Sequence, residues 1–351
     1  MTDCIKLTVY LGERQRVGSR FAADEILDLL ARRGVASSVL LRGIAGFGGR
    51  HVLRTDQSLT LSEDPPVTIA AVDLEPVISS VAEEIAALLP RGLITLERAR
   101  QIGEAAELPD SQTVRLSVAL GRNQRVDGTP AFRTACELMS RHHFAGSTVF
   151  LGVDGTVGGQ RRRARFFSRN PDIPLVTIGV GATEQAERLL PVLHRKLGTT
   201  LLTAERVTVC KRDGVLLTGP APVPATDRDG RQLWQKLMVY TSEDTLTGGV
   251  PIHRALVRRL LQSRSAAGAT VLRGIWGFHG DHPPRGDSLI QFGRRVPVST
   301  VVVDSPDNIA RSFEIVDELT GRHGLVTCET VPAMLTLGEG TRRGGLDLAD
   351  T

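Results

Sequence analysis

From Lys6 to Leu11 polar and apolar residues alternate through KLTVYL, the period-two pattern of a strand with one buried face. The period then changes. Between Phe21 and Arg33, Ala23, Ile26, Leu27 and Leu30 fall at i, i+3, i+4 and i+7, which predicts an amphipathic helix with Ser19 as its cap and Gly34 as its stop. Ser38 to Arg42 and the nearly all-apolar Val67 to Val72 predict two further strands. Pro76 opens a second helix over Val77 to Leu89, with Val77, Val81, Ile85 and Leu88 on one face, and Gly92 to Leu96 predicts a fourth strand.

The succession recurs twice. Its clearest marker is LRGIAGFGG at Leu41 to Gly49, which returns as LRGIWGFHG at Leu272 to Gly280. A weaker echo, LGVDGTVGG at Leu151 to Gly159, has Gly152 in place of the arginine and reads as a degenerate middle copy. Each anchor follows a strand-like opening (KLTVYLG, VRLSVALG, QKLMVYTS) and precedes a polar loop and a proline-led β-branched run. Each unit then closes on GLITLE, TLLTAE or GLVTCE. A spacing of roughly 110 to 120 residues exceeds solenoid periods, so each unit is a domain. The predicted division is 1–103, 112–210 and 233–337, with a linker at 211–232 carrying Pro220, Pro222 and Pro224, and a mobile tail at 338–351 that lacks periodicity. Strand, helix, strand, strand, helix, strand is the ferredoxin-like order, an α+β fold with both helices on one face of the sheet.

Composition narrows the class. At 41% apolar and 23% charged, 351 residues is ordinary globular material, and a net charge of +4 is too weak to imply nucleic acid. Cys4, Cys136, Cys210 and Cys328 stand singly, against a disulfide framework or zinc knuckle and consistent with a reducing cytoplasm. No leader pattern opens the sequence and no apolar run is long enough for a membrane helix, so a cytoplasmic location is expected.

With its arginine, fixed glycines and aromatic after the second strand, the anchor resembles that of PII-like signalling proteins, in the branch known as a domain of unknown function. The resemblance covers nearly all of the first and third units and the second by pattern. It implies a regulatory protein whose ligand lies in clefts between neighbouring units, and three units in one chain then imply a monomeric pseudo-trimer. It also implies a protein target; genes of this branch often lie beside those of fluoride-exporting channels, so a membrane channel or transporter is the candidate. The ligand is left open between an adenine nucleotide in a pose of its own and a small anion such as bicarbonate. Tyr10 and Tyr240 both lie in first strands, so the loop nucleotidylation of true PII proteins is not expected.

The candidate ligand residues are Arg42, Gly43, Gly46, Phe47 and Gly48 in the first unit, and Arg273, Gly274, Trp276, Gly277 and Phe278 in the third. Glycines at positive φ beside a guanidinium make an anion cradle, whereas the competing reading is a tight turn or bulge built for folding alone. Phe47 and Phe278 read first as core plugs and only second as adenine-stacking rings, while Trp276 on a glycine-rich stretch leans towards contact. Asp73 and Asp304 read as helix-start partners. His279, Asp281 and His282 form a weak metal candidate, and Arg161, Arg162, Arg163 and Arg165 are expected to be a solvated basic loop. With Gly152 replacing the arginine, at most two clefts per chain are expected to be competent. No nucleophile elbow, Walker loop or H-E-x-x-H occurs, so an enzyme is not expected; an adaptor with vestigial clefts is the alternative, and a nucleotide-using enzyme a weaker one.

Overall fold

The computed structural model describes residues 2–55, 64–103, 107–163, 173–198, 200–280, 282–286, 296–338 and 340–351. Unit 1 comprises β1 (Thr2–Gly12), α1 (Ala22–Arg32), β2 (Ser37–Phe47), β3 (Pro66–Leu74), α2 (Glu75–Leu88) and β4 (Gly92–Gln101). Unit 2 comprises β5 (Thr113–Gly121), α3 (Ala131–Arg141), β6 (Gly146–Leu151), β7 (Asp154–Val157), β8 (Pro174–Ala182), α4 (Thr183–Leu197) and β9 (Leu202–Arg206), trailed by β10 (Thr208–Arg212). Unit 3 comprises β11 (Trp234–Ser242), α5 (Ile252–Ser263), β12 (Ala269–Arg273), β13 (Trp276–His279), β14 (Pro297–Asp304), α6 (Pro306–Leu319) and β15 (Leu325–Val331), trailed by β16 (Ala333–Gly338) and β17 (Thr341–Gly345). The expected element order is therefore present in each unit. The fold is mixed α+β, with six helices among the described residues.

Within each unit the first strand lies between the third and the fourth, the second strand pairs with the third, and all pairings are antiparallel. Alternation in β1 explains the layers. Ile5, Leu7, Val9 and Leu11 are buried with Ile26, Leu27 and Leu30 of α1 and Ile78, Val81 and Ile85 of α2. Each such side chain contributes roughly 1.5–3 kcal/mol on burial. Units 2 and 3 have equivalent cores. The intervening residues of β1 point the other way, and Tyr10 there packs with Val180 of unit 2 and Met238, Tyr240 and Val301 of unit 3.

Two cycles of strand pairing join the units. Gly43–Phe47 of β2 pairs with Ala269–Leu272 of β12, β13 pairs with Gly146–Val149 of β6, and β7 pairs with Ser37–Leu40 of β2. That cycle runs from unit 1 to 3, 3 to 2, and 2 back to 1. A second cycle runs the opposite way through the closing strands: the end of β4 pairs with β9, β10 with β15, and β16 with β4. These strand edges are thereby covered by neighbouring units.

Several expectations are corrected. The anchor of unit 1 is the second half of β2 rather than a loop after it, because its backbone finds partners on unit 3. The residue capping α1 is Phe21, without a side-chain cap bond, not Ser19. In the expected linker, Lys211 and Arg212 belong to β10, which Val215–Leu216 pairs back upon; beyond them the proline run is largely exposed. The expected mobile tail holds β17, paired with β16. Leu346 and Ala349 are buried behind it, and the Ala349 carbonyl accepts from Arg98. TRRGG in β17 has no apolar alternation because all five residues are exposed.

Candidate ligand clefts at the unit junctions

Strand pairing determines what the anchor glycines do. Gly43, Gly46 and Gly48 are not at positive φ, contrary to expectation. Instead, a Cβ on Gly43 would lie 3.1 Å from the Val271 carbonyl oxygen and one on Gly46 2.5 Å from that of Ala269. The counterparts repeat the close approach, a Cβ on Gly274 lying 3.1 Å from the Val149 oxygen and one on Gly277 2.2 Å from the Ser147 oxygen, and Gly277 alone of these four has the expected positive φ, at 156°. In the middle copy Gly155 would meet the Ser38 oxygen at 2.1 Å. Lack of a side chain lets the anchor backbone lie against the next unit. Gly48 is exposed, with open space around it.

The anchor aromatics complete the junction. Phe47, from unit 1, is buried in the core of unit 3, and Phe278, from unit 3, in the core of unit 2. The middle copy has Thr156 there, buried against unit 1 and donating to the Val35 carbonyl at 3.0 Å. Trp276 is half-buried at the edge of unit 2, with the Arg133 guanidinium 4.3 Å above its ring. Arg42 and Arg273 are each paired to the acid that follows a first strand. Arg42 Nε donates to Glu13 at 2.6 Å, with its side chain 62% exposed, and an Arg273 Nη donates to Glu243 at 2.6 Å. In unit 2 both members differ: Arg122 follows the first strand, and the pairing register puts Leu151, not the expected Gly152, in the place of the arginine, since Gly152 N donates to Pro174 as Gly274 N donates to Pro297. Asp73 and Asp304 accept the backbone N–H of Ala36 and Ala267 and of the residue that follows each of them.

The basic run of unit 2 is solvated at Arg162 and Arg163, which are exposed, but not at Arg161. Arg161 lies 2.6 Å from Asp154 and 3.0 Å from Asp24, and also pairs with Asp28, so it ties unit 2 to α1 of unit 1. Arg163 reaches Asp24 at 3.3 Å, while Arg165 lies outside the described residues.

A cleft of about 210 Å³ opens beside the anchor of unit 3. Its walls include Ser242 at the end of β11 and Asp244 after it, Gly277–His279 of the anchor, His282 and Arg285 beyond the anchor, and His323 between α6 and β15. The His279 and His282 rings stand edge to face, 6.2 Å apart. Burial and the neighbouring His282 hold His279 below its usual pKa, while Asp213 and Asp244 pull it upward. Asp281, the remaining member of the weak metal candidate, lies outside the described residues. Groups of three potential ligand atoms close enough for one ion are Glu97, Glu205 and Glu329, and Asp227, Asp229 and Asp350, among the described residues; these histidines form no such group.

One constellation escaped sequence reasoning altogether. Lys6, Arg115 and Lys236 of the first strands meet Glu97, Glu205 and Glu329 of the last in a closed ring of alternating charge. Lys6 pairs with Glu97 at 2.9 Å and with Glu205; Arg115 pairs with Glu205 and with Glu329 at 2.6 Å; Lys236 pairs with Glu329 at 2.6 Å and with Glu97. Each cation thus bridges its own unit's glutamate and that of the next. Burial alone would raise the pKa of Glu97 and Glu205, but the surrounding ammonium and guanidinium groups outweigh it and hold both well below the usual carboxylate range. The signal lay in the repeat: a cation at one offset of each opening strand and a glutamate ending GLITLE, TLLTAE and GLVTCE.

The DUF190 family model, described as an uncharacterized ACR, matches residues 4–101, 113–209 and 234–333, one copy on each unit. The chain belongs to the DUF190 family. A UPF0166 protein of Aquifex aeolicus is 35% identical over 96 residues, 27% of this chain and 88% of the relative, so that relative is about one unit long. Another UPF0166 protein, from Methanocaldococcus jannaschii, is 32% identical over 79 residues, 22% of this chain and 72% of the relative. Among solved structures, the ferredoxin protease FusC with Arabidopsis ferredoxin aligns over 91% of this chain and 62% of its own at 7% identity, with a TM-score of 0.18, too low to bear on the fold. In this three-copy DUF190 chain, no helix among the described residues is long and apolar enough to cross a membrane.

Proposed function

We propose that the chain is a cytoplasmic, ligand-responsive regulatory protein of the PII-like type, with three ferredoxin-like units closed into a pseudo-trimer. A small anion or a nucleotide binds at the unit junctions, and the loops after the anchors carry the signal to a protein target, a membrane channel or transporter being the candidate. The observation that carries this reading is the cyclic pairing of anchors with second strands. A ligand touching an anchor touches two units at once, so binding energy can act on how units and loops are disposed. The middle copy is the degenerate one, with Leu151 and Thr156 where the others carry arginine and phenylalanine. An adaptor without ligand draws support from the structural duty of the same anchors, whose glycines and aromatics are already engaged between units.

A thermal-shift panel of adenine and cyclic nucleotides, bicarbonate, phosphate, fluoride and divalent metals separates the two. A ligand at about 100 times its dissociation constant adds roughly 2.7 kcal/mol, a rise of a few degrees. A shift with at least one compound, at no more than two sites per chain, supports regulation; no shift with any leaves the adaptor. Native mass spectrometry checks the architecture, since a self-contained pseudo-trimer runs as a monomer and a stable trimer of the full chain contradicts it.

A further inference from the structure

Units 1 and 3 have equivalent junctions that are filled differently. In unit 1 the Asp64 carboxylate lies against Gly12 at the end of β1, where a Cβ would meet its Oδ2 at 1.9 Å. Asp64 Oδ1 accepts the Arg14 backbone N–H at 2.6 Å, and Oδ2 lies 3.3 Å from Arg54 Nη1. Arg54 stands opposite Gly46 on the short strand returning from the anchor. In unit 3 Arg285 stands opposite Gly277, the same anchor position, and Ser242 ends β11 with Asp244 two residues on, as Gly12 ends β1 with Arg14 two residues on. There the cleft of about 210 Å³ is open, and among the described residues Arg285 has no hydrogen-bonding or ionic partner.

We propose that the unit 3 cleft binds a small oxyanion, seated on the Arg285 guanidinium and walled by His279, His282 and His323. Asp64 is the chain's own carboxylate in the corresponding place of unit 1. The planar guanidinium presents paired donors to a two-oxygen anionic face, whether carboxylate, bicarbonate or phosphate. The imidazoles add donors on the open side. A metal ion suits the cleft less well, because Arg285 contributes a permanent positive charge and the His279 and His282 rings are 6.2 Å apart. Two imidazoles on one tetrahedral zinc would bring their centres to about 5 Å. The assignment rests on reading the junctions as ligand sites and narrows that reading to one cleft and one chemistry.

The test is titration calorimetry of the full chain with inorganic phosphate, sulfate, bicarbonate and malonate, and separately with zinc. The expected result is one oxyanion per chain, with affinity reduced at least tenfold in Arg285→Gln and His282→Gln and largely restored in Arg285→Lys. Arg285 and His282 are exposed, so these variants are expected to fold, and ligand-free melting checks that they do. In Asp64→Ala, which vacates the unit 1 position, the stoichiometry rises from one to two. Oxyanion binding unchanged in Arg285→Gln, a stoichiometry that stays at one in Asp64→Ala, or zinc binding lost in His282→Gln without any oxyanion effect overturns the proposal. If another compound shifts the melting point while no oxyanion binds, this assignment fails and the junction reading stands; if nothing binds at all, both fall.

Discussion

Glu97→Gln probes the buried ring with little change in side-chain size. It removes a charge that lies 2.9 Å from Lys6 Nζ, closer still to Lys236 and 3.7 Å from Arg115. Three cations then face two carboxylates. The Lys236 side chain is only 3% exposed, so its ammonium cannot regain water in place of the lost partner. Removing one member of a buried ion pair costs about 3–5 kcal/mol, chiefly because a charge is left uncompensated. Burial and Arg115 already hold Lys236 below its usual pKa, so loss of Glu97 pushes it towards the neutral amine. If the 351 residues melt as one unit, an unfolding entropy of about 0.7 kcal/mol per kelvin turns a loss of 4 kcal/mol into a fall of roughly 5 °C. Urea unfolding followed by far-UV circular dichroism at pH 7 gives the free energy, provided the slope is unchanged. Glu97→Gln with Lys236→Met is expected to recover at least half the loss, since replacing both partners is far less costly than replacing one. A single variant within about 1 kcal/mol of the parent refutes this account of the ring, as does a double variant as costly as the sum of its parts.

Other consequences follow from the same geometry. Because Glu97 and Glu205 have folded pKa values below their unfolded ones, their stabilisation is present above about pH 4.3 and is lost as pH falls towards the folded values, by up to about 1.4 kcal/mol per pH unit for each group. Urea midpoints measured from pH 6 down to 2.5 should therefore fall more steeply in the parent than in Glu97→Gln, and equal slopes count against the ring as their source. All four cysteines are buried; desolvation pushes Cys4, Cys136 and Cys210 up to about 12 and Cys328 higher still. A thiol reagent at pH 8 is expected to find no rapidly reacting group until denaturant is added, and then all four. Gly277→Ala brings a methyl within 2.2 Å of the Ser147 carbonyl and should cost about 1–3 kcal/mol, whereas Gly48→Ala, in open space, should stay within about 0.5 kcal/mol. Thermal melting of the two variants side by side checks the contrast.

Periodicity and repetition determined a great deal without coordinates. The alternation of KLTVYL and the helical spacing of Ile26, Leu27 and Leu30 depend on contacts inside one unit, so local pattern sufficed to predict the element order and the helix-facing residues that form the core. Three copies of the pattern likewise marked three units, each matched by the family model. Tertiary structure decided whatever depends on another unit. The anchor's glycines have the composition of a flexible turn, and only the approach of Ala269, Ser147 and Ser38 carbonyls shows them to be contact points between strands. Phe47 and Phe278 read as core residues from sequence, but nothing local says that the core belongs to the neighbouring unit. Lys6 and Glu97 look like ordinary charged residues of half-exposed strands; closure of three sheets upon one another buries them and turns six scattered charges into a ring. Sequence records what each segment prefers, and the order in which three nearly equivalent units close is set by long-range pairing that those preferences do not encode.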